Sequence, residues 1–243
     1  MAFIINGAAG RMGRMVCQQL AAEDVAARVD PALETDPAAG AYAELGLCNV
    51  PADALIDFSH HAATRAVLDY CLARKLPAVI CTTGHTADEQ AAIEDAAEEI
   101  PIFQSANMSI GVAMLADLAV RAAAAFPQAD IEIIERHHNQ KLDVPSGTAL
   151  LLARRLREAR PDAEFIVGRH ENGKRQPREI GIHSLRYGSE VGTHEIIIST
   201  GRETLTLKHE AENRALFADG ALAAARFIAG KAPGLYDMRD MLG

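Results

Sequence analysis

Two adjacent histidines and a nearby lysine concentrate acid–base chemistry in one segment, Glu135-Arg136-His137-His138-Asn139-Gln140-Lys141-Leu142-Asp143-Val144-Pro145-Ser146-Gly147-Thr148-Ala149. The segment reads as a loop between a strand and a helix. Histidine, with a reference pKa of about 6.5, and lysine, at about 10.4, can share the work of delivering a proton. Ser146-Gly147-Thr148 reads as a helix start, where open N–H groups and two hydroxyls can hold a carboxylate. The sum predicts a site for a small dianion that must also receive a proton.

A second cluster lies at the other end of the chain. Gly7-Ala8-Ala9-Gly10-Arg11-Met12-Gly13 directly follows an apolar run, Phe3 to Asn6, and opens an amphipathic stretch. Small residues at a strand-to-helix turn let backbone N–H groups approach a pyrophosphate, and the helix N-terminus adds partial positive charge. The spacing is G-x-x-G-x-x-G, with alanines in the gaps. Asp30 then ends the next predicted strand, where a carboxylate accepts hydrogen bonds from ribose hydroxyls. These features together point to dinucleotide binding, with Arg11 as a phosphate contact.

Positioning two such clusters requires two kinds of sheet. Up to about residue 104, short aliphatic runs alternate with Ala-rich amphipathic stretches, which predicts βαβ units and a parallel, Rossmann-like sheet. Strands are expected at Phe3 to Asn6, Ala26 to Val29, Ala54 to Phe58, Ala78 to Thr82 and Ile102 to Gln104, with helices near Arg11 to Ala22, Ala62 to Arg74 and Ala87 to Glu98. Pro31 to Pro51, rich in Ala, Pro and Gly, receives no assignment. After a helix at Ile110 to Phe126, strands at Ile131 to Arg136, Glu164 to Val167, Gly181 to Tyr187, Thr193 to Thr200 and Glu203 to His209 predict a mixed or antiparallel sheet. Gly188-Ser189-Glu190 and Gly201-Arg202 read as its hairpin turns. A last helix, Asn213 to Ala229, is expected to return to the first domain. The fold class is α/β, a Rossmann-like domain (1–108 and 210–243) plus an α+β substrate-binding and oligomerisation domain (109–209).

At the E-x-H-H-x-x-K-x-D-x-P-S-G-T-A pattern of Glu135 to Ala149 the chain resembles the 4-hydroxy-tetrahydrodipicolinate reductases, also called dihydrodipicolinate reductases, of bacterial lysine biosynthesis. The Gly7 to Gly13 loop, Thr82-Thr83-Gly84, Ser105 to Gly111 and Gly234 to Met238 support the resemblance, which spans essentially the whole chain. Departures are the shortened Pro31 to Pro51 connection, His60-His61 where a proline is usual, and Cys81 where a glycine is common. The resemblance implies NAD(P)H-dependent reduction of 4-hydroxy-tetrahydrodipicolinate to tetrahydrodipicolinate. It implies His137 as catalytic acid/base and Lys141 as proton donor, with His138, Ser146, Gly147 and Thr148 on the substrate carboxylates. It further implies cofactor contacts from Gly7, Ala8, Ala9, Gly10, Arg11, Met12, Asp30, Cys81, Thr82, Thr83, Ser105, Ala106, Asn107 and Met108. Family members are commonly homotetramers joined through the second domain's sheet. Either NADH or NADPH fits, and NADH is favoured, because Asp30 repels an added phosphate and is followed by Pro31 rather than an arginine.

Composition narrows the alternatives. With 24 basic and 33 acidic residues among 243, the formal charge of −9 argues against a nucleic-acid partner. The most apolar stretch, Ile110 to Phe126, is broken by Asp117 and Arg121, so no membrane span is expected. The start reads as a first strand rather than an export signal, which makes the cytoplasm the expected location. Cys17, Cys48, Cys71 and Cys81 show no metal-ligand spacing and are expected to be structural thiols, with no metal site. No cysteine follows Cys81, which argues against a dehydrogenase working through a thioester near the second domain. A non-catalytic dinucleotide sensor would have no need of His137, His138 and Lys141 together.

Overall fold

The computed structural model describes residues 1–243, which divide into two compact units, 1–109 with 215–243 and 110–214. The first unit begins with β1 (Phe3–Asn6), α1 (Arg11–Gln19) and β2 (Val25–Val29), followed by β3 (Ala41–Tyr42) and β4 (Ala54–Asp57). It continues with α2 (Thr64–Arg74), β5 (Ala78–Ile80), α3 (Ala87–Ala97) and β6 (Pro101–Gln104). The second unit holds α4 (Ile110–Ala125), β7 (Asp130–His137), α5 (Gly147–Leu156), β8 (Glu164–Val167), β9 (Glu179–Arg186), β10 (Gly192–Ser199) and β11 (Thr204–Ala211). The chain ends in the first unit with α6 (Ala215–Ile228), β12 (Gly234–Tyr236) and α7 (Met238–Leu242).

The first sheet runs β12-β6-β5-β4-β1-β2-β3, and all its named strand pairs are parallel. Its strands are short aliphatic runs buried along their whole length at β1, β4 and β5, as expected of strands covered on both faces. Strand order reverses between β1 and β4, the switch point at whose carboxyl edge open α/β sheets bind ligands. Two of its seven strands have no counterpart among the expected ones. In β3, two residues inside the Pro31 to Pro51 connection pair with Arg28 and Val29, and short 3-10 turns at Pro37–Ala39 and Leu45–Leu47 flank it. β12 adds three residues beside β6. Neither is long enough to show a period.

The second sheet runs β11-β10-β7-β9-β8, with β10 antiparallel to both neighbours and β7, β8 and β9 mutually parallel. Ile131, Ile133, Ile180, Ile182, Ile196 and Ile198 alternate onto one face and form a core with α4 and α5. Gly201-Arg202 does close the β10–β11 hairpin. The hairpin expected at Gly188-Ser189-Glu190 is absent, because β7 takes the place between β9 and β10. The segment instead crosses the end of β7, where the Glu190 and Gly188 carbonyls accept from the N–H groups of His138 and Asn139. That crossing pins the first residues of the histidine–lysine loop. No helix is long and apolar enough to cross a membrane.

Candidate active site

In the first unit the expected cofactor residues gather at the carboxyl edge of the sheet. Gly7 turns the chain out of β1 with φ +77°, and a Cβ there would meet the Phe58 carbonyl carbon and oxygen at 2.6 Å. Only glycine fits such a turn. The loop satisfies its own first donors: Gly7 and Ala8 N–H donate to Val29 O at 2.8 and 3.1 Å, and Ala9 N–H donates to Asp30 Oδ2 at 3.1 Å. Gly10 is the N-cap of α1 and supplies no capping side chain, so the helix start at Arg11 and Met12 presents its dipole and first-turn N–H groups to an anion. Asp30 Oδ1 accepts from Ala32 N–H at 2.9 Å. Each carboxylate oxygen keeps a further lone pair for a ribose hydroxyl.

Beside this loop lies a cavity of about 270 Å³ whose walls include Ala8, Ala9, Arg14 and Arg28. An uncapped helix start, a strand-end carboxylate and a cavity with two guanidiniums fit the pyrophosphate and adenosine half of a dinucleotide. Cys81, Thr82 and Thr83 follow β5. The Asp57 carboxylate, buried at the end of β4, accepts from Asn6 Nδ2 at 2.8 Å and Ser59 Oγ at 2.6 Å, and from Thr82 Oγ1 at 3.4 Å. It ties the ends of β1, β4 and β5 together. Burial, then the neighbouring Asp57, pushes the Cys81 thiol pKa well up, which removes it as a nucleophile. Ser105 to Met108 form a tight turn after β6, in which Ser105 Oγ donates to Asn107 O at 2.8 Å and Met108 is buried. All four cysteines are free thiols, and no group of three His, Cys, Asp or Glu side chains could hold a metal ion.

The expected substrate residues assemble in the second unit. Glu135, fully buried on the helix side of β7, organises them. Its Oε2 takes the Nδ1–H of His137 at 2.6 Å, and its Oε1 takes the backbone N–H of Ser146 at 3.1 Å. Arg186 at the end of β9 grips the same carboxylate with both terminal nitrogens, at 2.8 and 2.7 Å, and also donates to Asp143 O at 2.7 Å. Burial alone would raise the Glu135 pKa, but the hydrogen bonds from His137, Arg186 and Ser146 outweigh it and hold the carboxyl well below its usual range. An ionised Glu135 fixes the proton on Nδ1 of His137 and leaves Nε2 for chemistry.

Ser146 caps α5, its Oγ accepting from Ala149 N–H at 3.1 Å, with His194 Nε2 3.0 Å away. The rings of His137 and His194 stand edge to face, centroids 5.2 Å apart. Gly147 and Thr148 begin the helix. Lys141 pairs its Nζ with Asp143 Oδ1 at 2.8 Å, and its N–H donates to His138 O. His138 Nε2 lies 3.4 Å from an Arg214 nitrogen. Three residues of this cluster, Arg186, Gly192 and His194, escape the sequence reading. His194 had a visible signal, a polar residue at the position of β10 that shares the apolar face with Ile196 and Ile198.

Gly192 matters because a Cβ there would lie 2.9 Å from His137 Nε2. The ring cannot yield without stretching its bond to Glu135. Gly192→Ala is therefore expected to lower kcat by up to about 10²-fold, the scale of an ångström-sized misplacement, while dinucleotide affinity holds. Steady-state kinetics with a cofactor titration checks it, and an unchanged kcat would show that the His137 position is not critical.

Comparison with known proteins decides the family. The profile described as "Dihydrodipicolinate reductase, N-terminus" matches residues 1–108 and that described as "Dihydrodipicolinate reductase, C-terminus" matches 111–242. The chain belongs to the dihydrodipicolinate reductase family. It is 43% identical to the 4-hydroxy-tetrahydrodipicolinate reductase of Caldanaerobacter subterraneus subsp. tengcongensis, covering 98% of this chain and 97% of that protein. It is 41% identical to the Clostridium tetani protein of the same name, over 98% and 96%. A solved structure, dipicolinate-bound dihydrodipicolinate reductase from Paenisporosarcina sp. TG-14, superposes with a TM-score of 0.80 at 26% identity over 98% of each chain. The family is one of dinucleotide-binding reductases, in line with the sheet topology of the first unit.

Proposed function

We propose that this chain reduces 4-hydroxy-tetrahydrodipicolinate to tetrahydrodipicolinate in the diaminopimelate route to lysine, with NAD(P)H as reductant. The observation that carries the reading is the buried Glu135 carboxylate, which holds His137 Nδ1–H and the Ser146 start of α5 on its two oxygens. An acid–base group and a carboxylate cradle thereby share one anchor. The net reaction adds a hydride and a proton to the ring and releases the hydroxyl as water. A reduced nicotinamide supplies the hydride when bound, with Gly7 to Met12, Asp30, Cys81 to Thr83 and Ser105 to Met108 as the residues that would hold the dinucleotide.

His137 and Lys141 manage the proton. Electron density left on the ring nitrogen by reduction needs one, and Lys141 is assigned to give it, with His137 Nε2 as acid/base beside it. His138, Ser146, Gly147 and Thr148 hold the two carboxylates, using the α5 N-terminus and hydroxyl donors. The second sheet's open face, which carries Glu132, Ile134, Arg136, Glu195 and Ile197 opposite the isoleucine core, is the surface assigned to a homotetramer. The cytoplasm, with its dinucleotide pool, is the assigned location. Purified protein coupled to the synthase that condenses pyruvate with aspartate semialdehyde tests the function. Loss of nicotinamide absorbance that requires the synthase supports it, and no loss with either cofactor would overturn it.

Both cofactors are assigned, with NADH the better. Asp30 can accept from the ribose hydroxyls but repels a 2′-phosphate, whereas Arg14 and Arg28 in the adjoining cavity offset part of that repulsion. Asp30→Ala is expected to erode the NADH preference by roughly tenfold, the scale of one hydrogen bond to a charged group. Arg28→Ala should weaken NADPH selectively. The ratio of kcat/KM for the two cofactors reads both, and a wild type that strongly favours NADPH, with Asp30→Ala leaving the ratio untouched, would remove Asp30 from the ribose.

A further inference from the structure

His194 is 4% exposed, and its Nδ1 has no hydrogen-bond partner. Its Nε2 lies 3.0 Å from Ser146 Oγ, which already accepts from Ala149 N–H. Two proton arrangements are open to this pair. With the proton on Nδ1, the serine would donate to Nε2 and an N–H would be buried with no acceptor. With the proton on Nε2, the imidazole donates to the serine, Nδ1 keeps a bare lone pair, and the serine O–H is the donor left without a partner in the unliganded fold. Each arrangement leaves one donor over, but an Nδ1–H has no acceptor in the fold, whereas the serine O–H can rotate to meet a ligand carboxylate, and Nε2–H is also the imidazole's intrinsic preference in water.

We propose that His194 is a positioning residue: its Nε2–H, donated to Ser146 Oγ, fills that oxygen's second lone pair and commits the serine O–H to a carboxylate of the substrate. A hydroxyl oxygen has two acceptor sites and one proton. Once Ala149 and His194 occupy both sites, Ser146 can act on a ligand only as a donor. That is the polarity a carboxylate needs at the start of α5, and it rests on the substrate reading above. Burial first, and His137 second, keep the His194 ring neutral, with a pKa pushed down to about 3, so it does not compete for the substrate's negative charge or take the proton of its neighbour.

The test uses the whole protein and dipicolinate, a planar dicarboxylate bound by the structural relative, with binding followed by calorimetry in the presence of the oxidised dinucleotide. His194→Phe keeps a flat ring without the donor, and is expected to weaken dipicolinate by roughly 10- to 100-fold, the range for one hydrogen bond to a charged group. Dinucleotide affinity should not move. Ser146→Ala should lose a similar factor, and the double variant no more than either alone, because both delete one interaction. His194→Gln, whose Nε2 can reach the same oxygen, should recover most of the loss. Nitrogen NMR of the wild type, which needs no variant to fold, should find His194 neutral with its proton on Nε2 at neutral pH. A proton on Nδ1, or dipicolinate bound equally well by His194→Phe and wild type, would overturn the assignment. A wild type that binds no dipicolinate would overturn the substrate reading itself, and this assignment with it.

Discussion

Lys141→Ala and His137→Ala are each expected to lower kcat by about 10²- to 10⁴-fold, the usual share of a positioned proton-transfer group, while leaving dinucleotide affinity close to that of the wild type. Both residues lie in the second unit, whereas every residue assigned to the dinucleotide lies in the first. His137 is a rigid group: Glu135 holds its Nδ1–H at 2.6 Å, and Arg186 holds Glu135 with two bonds. Truncation at His137 removes a preorganised acid/base without collapsing the anchor, since Ser146 N–H and Arg186 still satisfy the carboxylate. Lys141 is less confined, its ammonium resting on the half-exposed Asp143. That ion pair orients the lysine between turnovers and is weak enough to exchange for a substrate carboxylate or ring nitrogen. Pre-steady-state traces should show the slowed step to be substrate reduction and not cofactor exchange. If both variants kept near wild-type kcat, the proton chemistry would lie outside this loop.

What the sequence disclosed follows from the range of the forces involved. β1, α1 and the Gly7 loop are set by neighbours in the chain, by apolar runs, small residues and an uncapped helix start, so their place can be read directly. The strands of the second sheet were equally legible from β-branched runs such as Ile131 to Ile134 and Ile196 to Ile198, although those runs do not say which isoleucines face the core, Ile134 and Ile197 lying on the other side. Strand order was not. Whether Gly188 to Glu190 makes a hairpin depends on whether β7 inserts between β9 and β10, a contact decided by residues some fifty positions apart. The same limit hid Arg186. Its partner Glu135 sits inside the motif, but nothing near residue 186 reveals that a strand end will carry its guanidinium onto that carboxylate. His137, Lys141 and Ser146 were legible as chemistry because their types are crowded into one loop. Two of their neighbours arrive from elsewhere in the chain: Arg186 of β9, which holds Glu135 behind His137, and His194 of β10, beside Ser146.

Mild acid is expected to destabilise the protein well before ordinary carboxylates titrate, and His194 is the main reason. Burial first, then the nearby His137, pushes its pKa down to about 3, whereas a histidine in the unfolded chain titrates at about 6.5. Above pH 6.5 neither state is protonated, so the group makes no difference. Between about 6.5 and 3 the unfolded chain takes up a proton that the folded chain refuses, and stability falls by about 1.4 kcal/mol per pH unit. His85 and His209, lowered chiefly by burial, act in the same direction. Below about pH 4.3 Glu135 adds a second loss of the same sign. Its folded pKa is depressed because the bonds from His137 and Arg186 outweigh burial, so its contribution is complete above the unfolded carboxylate range and disappears as pH falls toward the folded value. Urea midpoints should therefore decline steadily from pH 7 to 4.5, with the slope steepening below that range. His194→Phe should flatten the upper part of the profile even if it lowers stability at pH 7, because it removes the titrating group along with its hydrogen bond. Wild type and His194→Phe with parallel profiles would show that His194 is not held neutral, and would return the acid sensitivity to the carboxylates.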